Sequence, residues 1–334
     1  MKTVRTPDER FQGLPGYSFA PHYAEIPAGD GDTLRMHYLD EGPQDGEVLL
    51  CLHGQPTWSY LYRKMIPPLT AAGLRVIAAD LIGFGRSDKP VQREAYSYAS
   101  HVGWLNAFLH ELDLTRVTLV CQDWGGLLGL RLVSDNVDRF ARVVAANTGL
   151  PDAKGVPAEM AAPMRELFAE IPALPVTEMG AKMRANENGA GFMYWIKYCD
   201  SYPDFVISDV MSLGGKPLAD DLRAGYDAPF PAEEYKQGAR QFPSLVPIFP
   251  DDPAIQDNRR AWAVLETFDK PFLTAFSDSD PVTAGGDIRF QQSVPGAKNQ
   301  RHTTIKNAGH FLQEDAPDTF AAAIVRFCED NPLG

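Results

Sequence analysis

Apolar residues in the first 150 positions gather in short unbroken runs, each closed by a polar or glycine-containing turn. Val48 to His53, Arg75 to Asp80 and Arg116 to Val120 are such runs. Runs of this length, rich in Val, Leu and Ile, are what strands buried on both faces of a parallel sheet require. Residues 22–27, 33–40 and 141–146 read as three more strands, and residues 59–69 and 97–111 as helices. Strand and helix alternating at this spacing predict a parallel sheet with helices on both faces.

The rhythm breaks at Pro151. From there to about Lys236 no clean buried strand can be read; prolines recur at 151, 157, 163, 172 and 175, and aromatic residues cluster at Phe192, Tyr194 and Trp195. Strand patterns return at 271–276 and 300–305, and a closing helix is expected from Pro317 to Glu329. The organisation this implies is a core domain, residues 1–151 and 236–334, interrupted by a helical cap, residues 152–235, packed over the C-terminal edge of the sheet. The core then holds a mostly parallel, eight-stranded sheet. No internal repeat or low-complexity tract is visible.

Composition narrows the partners. The chain of 334 residues is 44% hydrophobic and 22% charged, enough apolar material for a large globular core. A net charge of −13 with no basic cluster argues against nucleic acid and anionic membrane surfaces. No run approaches the roughly 20 apolar residues of a membrane span. The polar stretch from Met1 to Gly16 lacks the apolar segment of a secretory signal. Cys51, Cys121, Cys199 and Cys328 form no C-x-x-C pair, which removes zinc and thioredoxin-type readings and fits a reducing cytoplasm.

Candidate chemistry begins at Gln122-Asp123-Trp124-Gly125-Gly126. A buried strand precedes Asp123 and a helix pattern follows it, so the aspartate stands on a sharp strand-to-helix turn. This is the layout of the nucleophile elbow of α/β-hydrolases, with Asp in place of the usual Ser. Orphan N–H groups at the helix start stabilise an anion there. Asp280 and His310 follow later strands, and Gln55 follows an earlier one. All stand at C-terminal strand ends, where open α/β sheets place ligands. The order nucleophile, acid, histidine also matches α/β-hydrolases. Asp278 competes with Asp280 for the acid; Asp280 is preferred, deeper in its loop before Pro281. By contrast, Gly83-Phe84-Gly85 lacks the third glycine and the acidic partner of a nucleotide loop and reads as a turn.

The stretch from His53 to Met65, with Gln122 to Gly126 and Gly309-His310-Phe311, resembles the haloalkane dehalogenases. Gly191 to Trp195, Ala228 to Pro231 and Arg240 to Pro243 extend the likeness through the cap. It is closest to the branch with an Asp–His–Asp triad and two halide-holding tryptophans. That implies Asp123 as nucleophile, His310 as base and Asp280 as acid. It also implies hydrolysis of short haloalkanes to alcohol, halide and proton through an alkyl ester on Asp123. An ionised carboxylate needs no base to displace a halide from saturated carbon. Trp124, beside the nucleophile, offers an N–H donor with no acceptor to repel the halide. The resemblance gives Trp195 the matching role. Backbone N–H groups of Gln55 and Trp124 would form the oxyanion hole.

Phe192 and Phe230 are expected to line a small apolar pocket. A related branch uses an Asn at position 55 as halide donor; the longer Gln55 departs from it, and Cys121 departs from the usual elbow glycine. No metal or organic cofactor is implied, and a monomer is expected. The rival readings are an epoxide hydrolase, which needs cap tyrosines, and a non-catalytic homologue that binds a small apolar ligand.

Overall fold

The computed structural model describes residues 1–29 and 31–333. Eight strands make the central sheet: β1 (His22–Gly29), β2 (Asp32–Glu41), β3 (Val48–Leu52), β4 (Arg75–Ala79), β5 (Val117–Gln122), β6 (Phe140–Ala146), β7 (Phe272–Ser277) and β8 (Thr303–Ile305). Their spatial order is β8-β7-β6-β5-β3-β4-β2-β1. Every pairing from β8 to β4 is parallel, and β4–β2 and β2–β1 are antiparallel. All six positions of β5 are buried, because it lies between β3 and β6 with helices on both faces. Register aligns the ends that matter. Leu52 lies opposite Cys121, Gln122 opposite Ala146, and Ser277 opposite Ile305. The loops after β3, β5, β6, β7 and β8 therefore open on one edge.

The helix expected over 59–69 is interrupted. Ser59–Tyr62 forms one 3₁₀ turn, and α1 (Ile66–Ala71) starts afresh. Pro67 and Pro68 are the cause: without N–H groups they fit only the first turn of a helix. α2 (Tyr98–Glu111) starts where Ser97 Oγ accepts the Ser100 N–H at 3.0 Å. α3 (Trp124–Asp135) follows β5 directly. Gly83 and Gly85 have positive φ, 95° and 49°, and a Cβ on Gly85 would lie 2.0 Å from the Asp80 carboxylate, so this loop is turn chemistry.

Between β6 and β7 the described chain forms helices and loops and no strand: α4 (Ala161–Glu170), α5 (Val176–Ala185), α6 (Gly191–Ser201), α7 (Ile207–Gly214), α8 (Asp220–Asp227), α9 (Gln237–Gln241) and α10 (Ala254–Leu265). α10 already packs on the sheet side. Arg131 of α3 donates to Asn258 Oδ1 at 3.1 Å, and the Trp262 indole donates to the Leu150 carbonyl at 2.7 Å. α11 (Gly286–Ser293), α12 (Leu312–Asp315) and α13 (Pro317–Asp330) complete the fold. Glu314 of α12 is buried and binds Arg63 through both oxygens, at 2.7 and 2.9 Å, and accepts the Tyr226 hydroxyl of α8 at 2.6 Å. No described helix is long and apolar enough to cross a membrane. All four cysteines are free and buried, and burial pushes each thiol up, Cys328 to about 11.

Candidate active site

Asp123 leaves β5 at φ 51°, ψ −127°, a region a non-glycine residue rarely occupies. Its backbone is held from both sides: its N–H donates to Asn147 O at 3.0 Å, and its carbonyl accepts Thr148 Oγ1 at 2.7 Å. The neighbouring glycines answer close approach. A Cβ on Gly54 would lie 2.2 Å from Asp123 Oδ1, one on Gly125 2.1 Å from Leu52 O, and one on Gly126 2.0 Å from Thr148 Oγ1. Cys121 lies two residues back inside β5, where its thiol is buried and faces Val144 O at 3.6 Å, so a side chain is accommodated there.

The Asp123 carboxylate meets two loops. Oδ1 accepts the Gln55 N–H at 2.6 Å, and Oδ2 lies 3.4 Å from His310 Nε2. His310 Nδ1 lies 3.0 Å from Asp280 Oδ1. Asp280 also accepts the Val282 N–H at 2.8 Å and the Thr283 hydroxyl. Burial would push the Asp280 carboxyl up, but His310 and these donors outweigh it and hold it down at about 2. Burial likewise opposes charge on His310; Asp280 and Asp123 outweigh that and push it up to about 10. Asp278 is turned to the Asn307 and Ala308 N–H groups, at 3.2 and 3.4 Å, and does not reach the imidazole.

A cavity of about 480 Å³ rises above this cluster. Gln55, Asp123, Trp124 and Leu127 form its floor; Met179, Met183, Phe192 and Trp195 roof it from α5 and α6. Trp58 and Trp262 spend their indole N–H groups on Gly225 O and Leu150 O. The N–H groups of Trp124 and Trp195 have no protein partner among the described residues, and both rings line the cavity. The Gln55 side chain is committed elsewhere: its amide donates to Ala239 O at 2.5 Å. Its backbone N–H alone is on the Asp123 carboxylate. The Trp124 N–H, first of α3, has no carbonyl one turn back to receive it.

Phe230 does not line the cavity, contrary to the sequence expectation. It packs edge-on against Phe84, ring centroids 6.4 Å apart, beside Pro229, whose carbonyl accepts Thr6 Oγ1 at 2.6 Å. Phe242 instead covers the Trp124 ring, at 4.6 Å. Two residues had no assigned role. Asn147 donates to Gly309 O and His310 O, both at 3.0 Å, and its Oδ1 accepts the Ser277 N–H at 2.8 Å, tying the loops after β6, β7 and β8 together. Gln122, at the buried end of β5, lies against His310. Its place just before Asp123 was the only signal.

Residues 47–203 match a family described as the alpha/beta hydrolase fold. The chain is 50% identical over 333 residues to a haloalkane dehalogenase from Psychrobacter cryohalolentis, covering 99% of this chain and 100% of that one. It is 46% identical over 326 residues to one from Mycobacterium marinum, covering 97% and 99%. Among solved structures, the tetrameric haloalkane dehalogenase DpaA from Paraglaciecola agarilytica NO2 superposes with a TM-score of 0.78 at 32% identity, over 99% of this chain and 98% of that chain. Likeness of this extent runs along nearly the whole chain, and the chain belongs to the haloalkane dehalogenases, hydrolases that act on carbon–halogen bonds.

Proposed function

We propose that Asp123 is the nucleophile of this dehalogenase, His310 its base and Asp280 the acid that orients the base. One observation carries the reading: the Asp123 carboxylate and two partnerless indole N–H groups share one largely apolar cavity. Oδ2, the oxygen not held by Gln55, attacks the halogen-bearing carbon; a C–O bond forms and the halide leaves with the bonding pair. Trp124 and Trp195 donate to the halide as its charge develops. Hydrogen bonds to an ion contribute roughly 1.5–3 kcal/mol each, so the pair supplies on the order of 10² to 10⁴ in rate.

Water then attacks the ester carbonyl carbon and gives its proton to His310 Nε2. The oxyanion is met by the backbone N–H groups of Gln55 and Trp124. The intermediate collapses, the bond to the alkyl oxygen breaks, and the alcohol leaves with the proton from His310. Short haloalkanes are the proposed substrates, and the cavity admits chains of several carbons. Residues 152–235 act as the cap that excludes water. A functional monomer is part of the proposal, and the four free, buried cysteines fit a cytoplasmic enzyme. An epoxide hydrolase would need tyrosines facing the ligand, but Tyr194, Tyr198, Tyr202, Tyr226 and Tyr235 all lie outside the lining.

The decisive variant is His310→Phe. Alkylation needs no base, so 1-bromobutane is expected to yield about one bromide per enzyme and then stop. The intact mass should rise by one butyl group, mapped to Asp123. Steady turnover with no mass gain would overturn both the base and the ester.

A further inference from the structure

Gln122 is fully buried at the end of β5, one residue before the nucleophile. Its amide nitrogen lies 3.0 Å from His310 Nε2 and 3.1 Å from the His310 carbonyl oxygen. Its amide oxygen is buried with no partner. The orientation follows from the carbonyl. A carbonyl oxygen only accepts, so the group facing it must be the NH₂. The second amide hydrogen then points at Nε2, which can receive it only through its lone pair. Nδ1, facing Asp280 Oδ1 at 3.0 Å, carries the ring proton. This hydrogen-bond pattern favours Nε2 free of a proton, the form a general base requires, against the two carboxylates that push the ring toward imidazolium.

We propose that Gln122 is a positioning residue for this base: its amide clamps the His310 ring to its own carbonyl and keeps Nε2 unprotonated toward Asp123. The proposal rests on the reading of His310 as base. The charged groups acting on the ring are Asp280, from the loop after β7, and Asp123, from the turn after β5. α7 contributes only a neutral contact, the Gly214 carbonyl on the His310 N–H at 2.7 Å. Both carboxylates favour an imidazolium, which cannot take a proton from water. Gln122 acts the other way. Once Nε2 is protonated, two N–H groups face each other while the bond to the carbonyl keeps the amide from turning. Esterification of Asp123 removes one carboxylate charge and reinforces the effect when hydrolysis begins. After water has given up its proton, the same opposed N–H groups favour its onward transfer to the departing alcohol.

The test separates the two chemical steps. Enzyme alkylated by 1-bromobutane is followed by intact mass while the ester hydrolyses, across pH, in wild type, Gln122→Glu and Gln122→Met. Glu replaces the donor with an acceptor of the same shape; Met removes it without adding charge. The alkylation burst should remain at one bromide per enzyme in all three. The acid limb of ester hydrolysis should move to higher pH by a unit or more in Gln122→Glu and by a smaller step in Gln122→Met. Should Gln122→Glu fail to fold, as read by its melting curve, the Met variant carries the same comparison. A limb that stays at the wild-type pH, whatever the hydrolysis rate, overturns the proposal and leaves Gln122 as packing. Absence of any alkyl adduct in His310→Phe, where hydrolysis is blocked, would instead overturn the underlying mechanism.

Discussion

The turn that closes β5 and the helix α5 both line the cavity, and the two elements are built in opposite ways. All six residues of β5 are buried, its neighbours pair with it on both sides, and the glycines beyond it leave no room for a methyl group. α5 supplies Met179, Met183 and Arg184 to the lining, yet only Met179 and Gly180 of its ten residues are buried. α4, outside it, buries none. The floor is over-determined, as the proposed nucleophile, held in a strained turn, needs it to be. The roof presents flexible methionines and one exposed arginine, and can change its side chains at small cost. On the proposed reading, reaction chemistry rests on the sheet and choice of substrate on the helices. Trp195 is the exception, a residue with a proposed chemical role carried by the roof.

Four substitutions probe that division. Asp123→Ala strikes the floor where the chemistry is placed. Halide release should fall by at least ~10⁴-fold, with the thermal midpoint little changed; residual activity of a tenth would remove Asp123 from the role. Trp195→Phe tests whether the roof shares in the chemistry. The ring stays and the donor goes, so kcat/KM should drop by roughly 10–100-fold, and bromide should quench indole fluorescence more weakly. Unchanged values would make Trp195 a packing residue and the roof purely selective. Gly126→Ala puts a methyl group 2.0 Å from Thr148 Oγ1, and overpacking of this kind costs roughly 1–3 kcal/mol in urea unfolding. Leu167→Ser on α4, where the leucine is 37% exposed, should stay within about 0.5 kcal/mol of wild type. A loss as large as that of Gly126→Ala would show the two regions to be equally constrained.

Sequence reading succeeded where the constraint is local. Buried strands such as β3, β5 and β6 announce themselves because both faces must be apolar, and the elbow because glycines flank a polar residue between strand and helix. Pairing of Thr3–Val4 with Lys89–Pro90 is too short to show any period. α10 and α11 carry mixed polar surfaces and gave no clear signal. Phe192 and Phe230 look alike in sequence; only the docking of the Thr6 region against Pro229 decides that Phe230 faces Phe84. Asn147 and Gln122 escaped for the same reason. Their partners lie more than 100 residues away in the chain, at Ser277, Gly309 and His310, and become neighbours only when the strand ends align.

The four buried thiols have a consequence for an enzyme whose substrates are themselves alkylating agents. A haloalkane reacts with any accessible thiolate, and that reaction would consume the catalyst. Thiolate is the reactive form, and here burial disfavours it at Cys51, Cys121, Cys199 and Cys328 alike. With all four thiols buried, the chain resists poisoning at cysteine by its own substrate, and the proposed nucleophile is a carboxylate that hydrolysis can regenerate.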